Sequence, residues 1–213
     1  MKVVRSRERG PDQAREALLN AAFAEMYLHG FRATGIDVIL ASSGMSKGSL
    51  YHHFGNKHGL GYAVVEERVR PLVRERYIQP FRESSDPPEA LRRMGQRMEN
   101  ELRKTGILER GCPLNNLIQE MSGVDDGFRR RLEGILREWR DTIADGLRGG
   151  QSAGTVDRDV DPDEAGTFIV ATLMGAVGFA KNARDVLPFG ACRRVLERYV
   201  ESLRPRTKRA KGA

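Results

Sequence analysis

Residues 44 to 54 read GMSKGSLYHHF, and the types and spacing of the side chains in this stretch support two incompatible chemistries. Gly44, Ser46 and Gly48 match G-x-S-x-G, the strand-to-helix elbow on which acyl-transfer enzymes expose a nucleophilic serine, and His52 and His53 follow as candidate bases. In the other reading Gly44 makes a tight turn and Ser46 caps a helix carrying Lys47, Ser49, Tyr51 and His52. Gly48 then lets the backbone approach a ligand closely, while the hydroxyls and free N–H groups of a helix N-terminus favour phosphate.

The surrounding elements weigh against the elbow. A nucleophile elbow needs a buried strand before the serine and alternating βα units around it. IDVIL at 36 to 40 has the composition of such a strand, but His52 and His53 follow Ser46 by six and seven positions on one helix, and a residue six positions on points to another side. Elsewhere the periodicity is helical. Leu19, Ala22, Phe23, Met26 and Tyr27 form one face of a first helix over Asp12 to His29, which Gly30 stops. Thr34 is placed to cap a short second helix with Ile36, Ile39 and Leu40 inward, and SSG at 42 to 44 breaks it. Ser46 caps the third, with Leu50 and Phe54 inward, and Asn56 caps a long fourth helix in which Pro71 and Pro80 predict a kink or break.

Beyond residue 60 every strong pattern is helical. SDPPEAL opens one helix with Asp86 as cap, GCPLNNLIQEM another, and GVDDGFRRRLEGILREWRDTIADGL a long amphipathic one ending at Gly149 and Gly150. Asp161 caps the next, with Pro162 at its first position, and Pro188 precedes a final helix whose stripe includes Val195, Leu196, Tyr199, Val200 and Leu203. The expectation is an all-α chain of about nine helices without an internal repeat.

Charge is unevenly placed along the 213 residues, whose formal net charge is +7. Residues 1 to 60 carry 8 Lys and Arg against 5 Asp and Glu, residues 61 to 203 carry 23 against 24, and RPRTKRAKGA at 204 to 213 carries 5 against none. A basic N-terminal unit and a basic tail fit a polyanion, nucleic acid first, although the tail also suits a solvated segment that aids solubility. No run reaches the roughly 18 uncharged apolar residues of a membrane span, and MKVVRSRERG leads into a charged segment and not an apolar signal core, so a cytoplasmic protein with no membrane partner is expected. Cys112 and Cys192 lack ligand or C-x-x-C spacing, and His29, His52, His53 and His58 have no acid or cysteine at ligand spacing, so no metal site and no cofactor are expected. A thiol-sensing role for Cys112 has no sign of activation in its neighbours.

The helix-turn-helix reading accounts for more residues at once. Gly44 fits the turn, Ile39, Met45 and Leu50 fit the packing between the two helices, and Lys47, Gly48, Tyr51 and His52 share the outward face. GFRATGIDVILASSGMSKGSLYHHFGNKHGL, residues 30 to 60, resembles the DNA-binding domain of the TetR/AcrR family of bacterial transcriptional regulators, and the helical remainder resembles that family's ligand-binding and dimerisation domain. The resemblance implies an N-terminal DNA-binding domain over 1 to 60, an effector-binding and dimerisation domain over 61 to 203, and a basic tail over 204 to 213. It carries DNA contact to Thr34, Ser46, Lys47, Gly48, Ser49, Tyr51, His52 and Lys57. Two positions depart from the family pattern: Gly35 stands where Ser or Thr is common, which removes a phosphate contact, and Leu40 stands where Ala is common, which shifts helix packing.

By the same resemblance the protein is not an enzyme but a ligand-responsive regulator, most simply a repressor, that leaves a palindromic double-stranded operator when a small molecule binds. It dimerises with a second copy through its last two helices. AGTFIVATLMGAVGFA at 165 to 180 is apolar nearly all round, and Gly175 with Gly178 permits close helix contact, which suits both a buried helix and that interface. Met94, Met98, Leu117, Met121, Phe128, Trp139, Phe168 and Thr172 are candidates to line a pocket for an apolar effector, because adaptable Met and large aromatics suit such ligands. Ordinary core packing is the alternative for each. A nonspecific DNA-binding protein and a hydrolase using Ser46 remain the competing functions.

Overall fold

The computed structural model describes residues 11–104 and 106–205; residues 1–10 and most of the basic tail, 206–213, lie outside the described residues. Within them the chain forms nine principal helices and no strand. These are α1 (Pro11–His29), α2 (Ile36–Ser43), α3 (Lys47–Phe54), the long α4 starting with Lys57–Val64, α5 (Pro87–Lys104), α6 (Pro113–Met121), α7 (Asp126–Ala153), α8 (Pro162–Ala183) and α9 (Leu187–Ser202). One isolated helical turn, Ile107–Arg110, precedes α6.

The first three helices close around Leu18, Leu19, Ile39 and Leu50, all fully buried. Each contributes about 1.5–3 kcal/mol by leaving water. Gly30 stops α1 in the left-handed region, φ +82°, and its N–H donates to Met26 O at 2.9 Å. The expected cap of α2 is corrected: Gly35 holds that position without a side-chain hydrogen bond. Thr34 is drawn inward instead, donating its hydroxyl to Gly30 O at 2.6 Å. IDVIL lies in the helix Ile36–Ser43, so no strand precedes Ser46 and the nucleophile elbow has no frame.

α4 continues past Val64 without a break, through π-helical Val65–Val69, Arg70–Val73, π-helical Arg74–Ile78 and Gln79–Arg82. The expected kinks at Pro71 and Pro80 are thus taken up by a widened turn just before each proline. The ring of Pro71 cannot donate to Glu67 O, and Arg68 Nη1 donates there instead at 2.8 Å. The wide turns serve the packing as well. Val65, Val69, Val73, Tyr77 and Phe81 recur every fourth residue and all are buried. In an ideal α-helix a four-residue repeat drifts by about 40° per step. Turns bonded i to i+5 absorb that drift and keep the stripe on one face.

α7, 28 residues and about 42 Å long at 1.5 Å per residue, is the axis of the body. It packs against α8 on one side and against α4, α5 and α6 on the others, and α9 joins α8 to α5. It passes through Gly149 and Gly150, where the sequence suggested its end, because both stay helical; Gly154, φ +75°, is the residue that stops it. Buried Trp139 stacks on Tyr77 with centroids 4.6 Å apart and planes at 11°. Glu99 of α5, buried, receives Arg193 of α9 at 2.5 Å and Arg103 at 2.6 Å. Arg204, expected to begin a loose tail, instead donates to Asp86 at 2.9 Å and to Glu201 at 3.2 Å.

Candidate nucleic-acid interface

The helix-turn-helix is set by three local devices. Gly44 adopts φ +69° and donates its N–H to Leu40 O at 2.9 Å, closing α2 in a conformation that costs other residues about 1–2 kcal/mol. Ser46, extended, accepts the N–H of Ser49 at 3.2 Å and starts α3. Leu50, one turn on, is buried and pins the helix from beneath. One face of α3 is thereby fixed inward, so the opposite face projects Lys47, Gly48, Tyr51 and His52 into solvent beside exposed Ser46. Tyr51, 43% exposed, is a large aromatic left outside the core. Ser49 is half-buried, and His52 and His53 meet edge-on with rings 5.0 Å apart. No base lies against Ser46 Oγ in this arrangement; the oxygen accepts the backbone N–H of Ser49.

Two sequence candidates do not join this face. Thr34 is 3% exposed with its hydroxyl already bonded to Gly30 O, so it braces the α1–α2 turn. Lys57 is half-buried, with Nζ 3.2 Å from Arg32 O and 4.8 Å from the centroid of Phe31; burial lowers its pKa. Its ammonium ties the start of α4 to that same turn. The bare Gly35 cap leaves the first N–H groups of α2 without a side-chain acceptor, which is the arrangement a phosphate completes.

A second set of contacts, absent from the sequence reading, joins this unit to the body. Phe31 packs edge-on against Phe128 of α7 at 4.6 Å and against His58 at 5.1 Å. Gly61 makes this possible, since a Cβ there would lie 2.6 Å from Phe31 and 2.7 Å from Phe128. Tyr62 donates to Asp125 at 3.0 Å, and Asp125 caps α7 by accepting the N–H of Phe128 at 2.8 Å. That backbone hydrogen bond is the main reason its carboxyl lies below the usual range. Glu120 of α6 accepts the N–H groups of Phe31 at 2.9 Å and Arg32 at 2.7 Å. Arg15 and Glu67 form a bidentate pair at 2.7 and 2.5 Å, and Tyr27 donates to Gly111 O at 2.6 Å, its pKa pushed up to about 12 by burial.

Comparison with known proteins settles what this architecture is. Residues 18–64 match the model for bacterial regulatory proteins of the tetR family, and residues 87–196 match the tetracyclin repressor-like C-terminal domain. The transcriptional regulator AcuR of Cereibacter sphaeroides is 36% identical over 162 residues, 75% of this chain and 74% of that protein. The chain belongs to the TetR family. The transcriptional repressor DhaR of a Mycobacterium species is 28% identical over 163 residues, 75% of this chain and 78% of that one. A regulatory protein TetR from Rhodobacter sphaeroides superposes with a TM-score of 0.77 at 30% identity, covering 87% of this chain and 98% of that one. The protein is therefore a DNA-binding transcriptional regulator. Members of the TetR family bind DNA operators as dimers and respond to small molecules; they are regulators, not enzymes.

In this TetR-family body the effector candidates separate. Met94, Met98, Leu117, Met121, Phe128 and Trp139 are all buried. Two of them border small voids. Met98 lines a cavity of about 20 Å³ with Arg76, Tyr77, Leu102, Cys112 and Val177, and Leu117 lines one of about 10 Å³ with Phe23, Tyr27, Val69 and Asn116. Pro113, at the start of α6, borders both. Phe168 and Thr172 are corrected: Phe168 is 46% exposed, Thr172 is half-buried, and both lie one turn apart on the outer side of α8, away from either void. Burial pushes the Cys112 thiol up, opposite to the activation a redox sensor needs.

α8 is, among the described residues, the one helix long and apolar enough by length and composition to cross a membrane. Its inner face, with Ile169, Leu173, Ala176 and Ala180, is buried in contact with α7 and α9. Its outer face carries Phe168, Ala171, Gly175 and Phe179, the last 67% exposed, and Gly175 has no neighbour within 4 Å of where a Cβ would sit. On α9, Leu187, Ala191 and Val195 form a parallel exposed apolar row.

Proposed function

We propose that this regulator is a homodimeric repressor that reads a palindromic double-stranded DNA operator with α3 and leaves it when a small, largely apolar effector enters the helical body. The observation that carries the DNA reading is the exposed polar face of α3, with Tyr51 43% exposed although its neighbour Leu50 is fully buried. Ser46, Lys47 and Ser49 approach phosphates at the helix start, Gly48 admits the backbone, and Tyr51 and His52 reach base edges. Lys57 and Thr34 support this face from behind. The unit over 1 to 60 reads DNA, the body over 61 to 203 senses and dimerises, and the division falls inside α4.

The apolar outer faces of α8 and α9 support dimerisation through the last two helices. Phe168, Phe179, Leu187 and Val195 are large apolar side chains left exposed on two helices that pack together, as an interface would use, and the small residues between the two Phe rings admit a partner helix. The two small voids beside Pro113 support the effector reading. A space of about 20 Å³ holds one water molecule, so a ligand must widen it, and such a ligand binds better to a shifted body than to the closed one. A cytoplasmic location is part of the same proposal, since that is where a regulator of a bacterial family meets its DNA.

Footprinting on the DNA flanking its own gene tests the reading, with wild type, Lys47→Ala and Tyr51→Ala compared. Protection of a two-fold site by the wild type alone, all three proteins remaining folded dimers, is the expected result. Equal protection by the Tyr51→Ala protein, or no preference over a scrambled duplex, refutes it.

A further inference from the structure

We propose that Glu120 is a positioning residue that sets the angle of the DNA-reading unit on the body, and so the separation of the two recognition helices in the dimer. This rests on the dimeric operator reading above. The Glu120 carboxylate accepts two successive backbone N–H groups, those of Phe31 and Arg32, from across the junction. The turn it grips is stiff: Thr34 closes it onto Gly30, and Lys57 holds Arg32 O. Gly30 suits the turn by its φ of +82°, and a Cβ there would lie 2.7 Å from Glu120 Oε2, so a larger residue would push the carboxylate aside. Since α2 begins at Ile36 and α3 follows it through a three-residue turn, whatever holds this turn holds the reading head.

The electrostatics argue against a role in helix stability alone. A carboxylate is unfavourable at a helix C-terminus, and Glu120 lies in the last turn of its own helix and just beyond the end of α1. Its two charge-assisted bonds to the turn are the compensation. At its other end α6 begins with Pro113, which borders both voids of the body. α6 is nine residues long and helical throughout, so a displacement of Pro113 by a ligand is carried to Glu120 and from there to the α1–α2 turn.

The test uses full-length wild type and Glu120→Gln, which keeps size and one acceptor but loses the charge and the second acceptor. The probes are duplexes carrying two copies of the half-site that wild type selects from random DNA, with their separation changed one base pair at a time. Affinity by fluorescence anisotropy is read against separation, alongside the thermal midpoint. Wild type is expected to show one sharp optimum. Glu120→Gln is expected to lose about tenfold at that optimum, and less than about twofold at neighbouring separations, flattening the preference. A uniform loss at every separation, following the folded fraction, would mean Glu120 only stabilises the fold and overturns the proposal. A Gln profile superimposable on wild type overturns it while leaving the operator reading intact. Wild type without any optimum overturns both.

Discussion

Ser46 is the residue on which the two readings of GMSKGSLYHHF differed most, and three substitutions separate its possible jobs. Its Oγ accepts one N–H, that of Ser49 at 3.2 Å, at an exposed N-terminus. Loss of an N-cap costs about 0.5–2 kcal/mol, and exposure puts this one toward about 1 kcal/mol, since water replaces part of the bond. Ser46→Ala should therefore lower the thermal midpoint by about 2–4 °C in a chain of this size. Ser46→Gly should cost only a few tenths of a kcal/mol of stability. Ser46→Asp keeps the cap, because a carboxylate accepts the same N–H, yet it sets a negative charge where a phosphate is expected. At about 4 Å the repulsion is about 1 kcal/mol in bulk water and about 4 kcal/mol at an effective dielectric of 20. Operator affinity should fall at least about fivefold while the midpoint holds or rises. Anisotropy titration beside differential scanning calorimetry reads both quantities. Wild-type affinity in Ser46→Asp would refute the placement of phosphate at this helix start, and an unchanged midpoint in Ser46→Ala would refute the cap as a source of stability.

Phe128→Ala should destabilise by about 3–5 kcal/mol, for the ring is fully buried between Phe31 and Tyr62, and urea unfolding would show it. A cost below about 1 kcal/mol would mean the junction collapses around the lost ring. Phe179→Glu should yield monomers in sedimentation velocity and weaken binding to a two-half-site duplex; a persisting dimer would remove α8 from the interface. Burial alone would raise the Glu99 carboxyl, but hydrogen bonds from Arg103 and Arg193 outweigh it and hold it below the usual range. A carboxyl lowered in the folded state adds stability that is complete above its unfolded value, about 4.3, and lost as pH falls through the folded one. Glu99→Gln should thus cost about 3 kcal/mol at pH 7 and progressively less below about pH 4, whereas a pH-independent difference in urea unfolding would contradict the ion pairs.

The helices and most of their ends were legible because they depend on neighbours in the chain. Ser46, Asn56, Asp125 and Asp161 each accept an N–H two or three residues on, so the residue type names its own job. The misjudged points involve competition between a local tendency and a distant one. Pro71 and Pro80 looked like breaks by local rule, yet the buried stripe from Val65 to Phe81 holds α4 together and the prolines are met by wider turns. Gly149 and Gly150 looked like a stop, but the helix continues through them and Val156 packs into the space beside Gly150, where a Cβ would lie 2.5 Å away.

The interface divides in the same way. The exposure of Lys47, Gly48, Tyr51 and His52 followed from helical spacing around Leu50, which needs no knowledge of the rest of the chain. Thr34 and Lys57 had the right chemistry for phosphate, but the direction of each side chain is decided by the turn at Gly30 and the ring of Phe31. Glu120 was invisible for a stronger reason. Its partners are main-chain N–H groups 88 and 89 residues away, and a backbone donor leaves no imprint on residue type. The one trace is Gly30, where the left-handed φ explains a glycine by itself and so hides the second effect, that a Cβ would push the carboxylate aside. A glycine that ends a helix is therefore worth testing for what lies against it as well as for its φ. An Asn at Gly30, tolerant of that φ but carrying a Cβ, should cost operator affinity by displacing Glu120 even where it leaves α1 correctly ended.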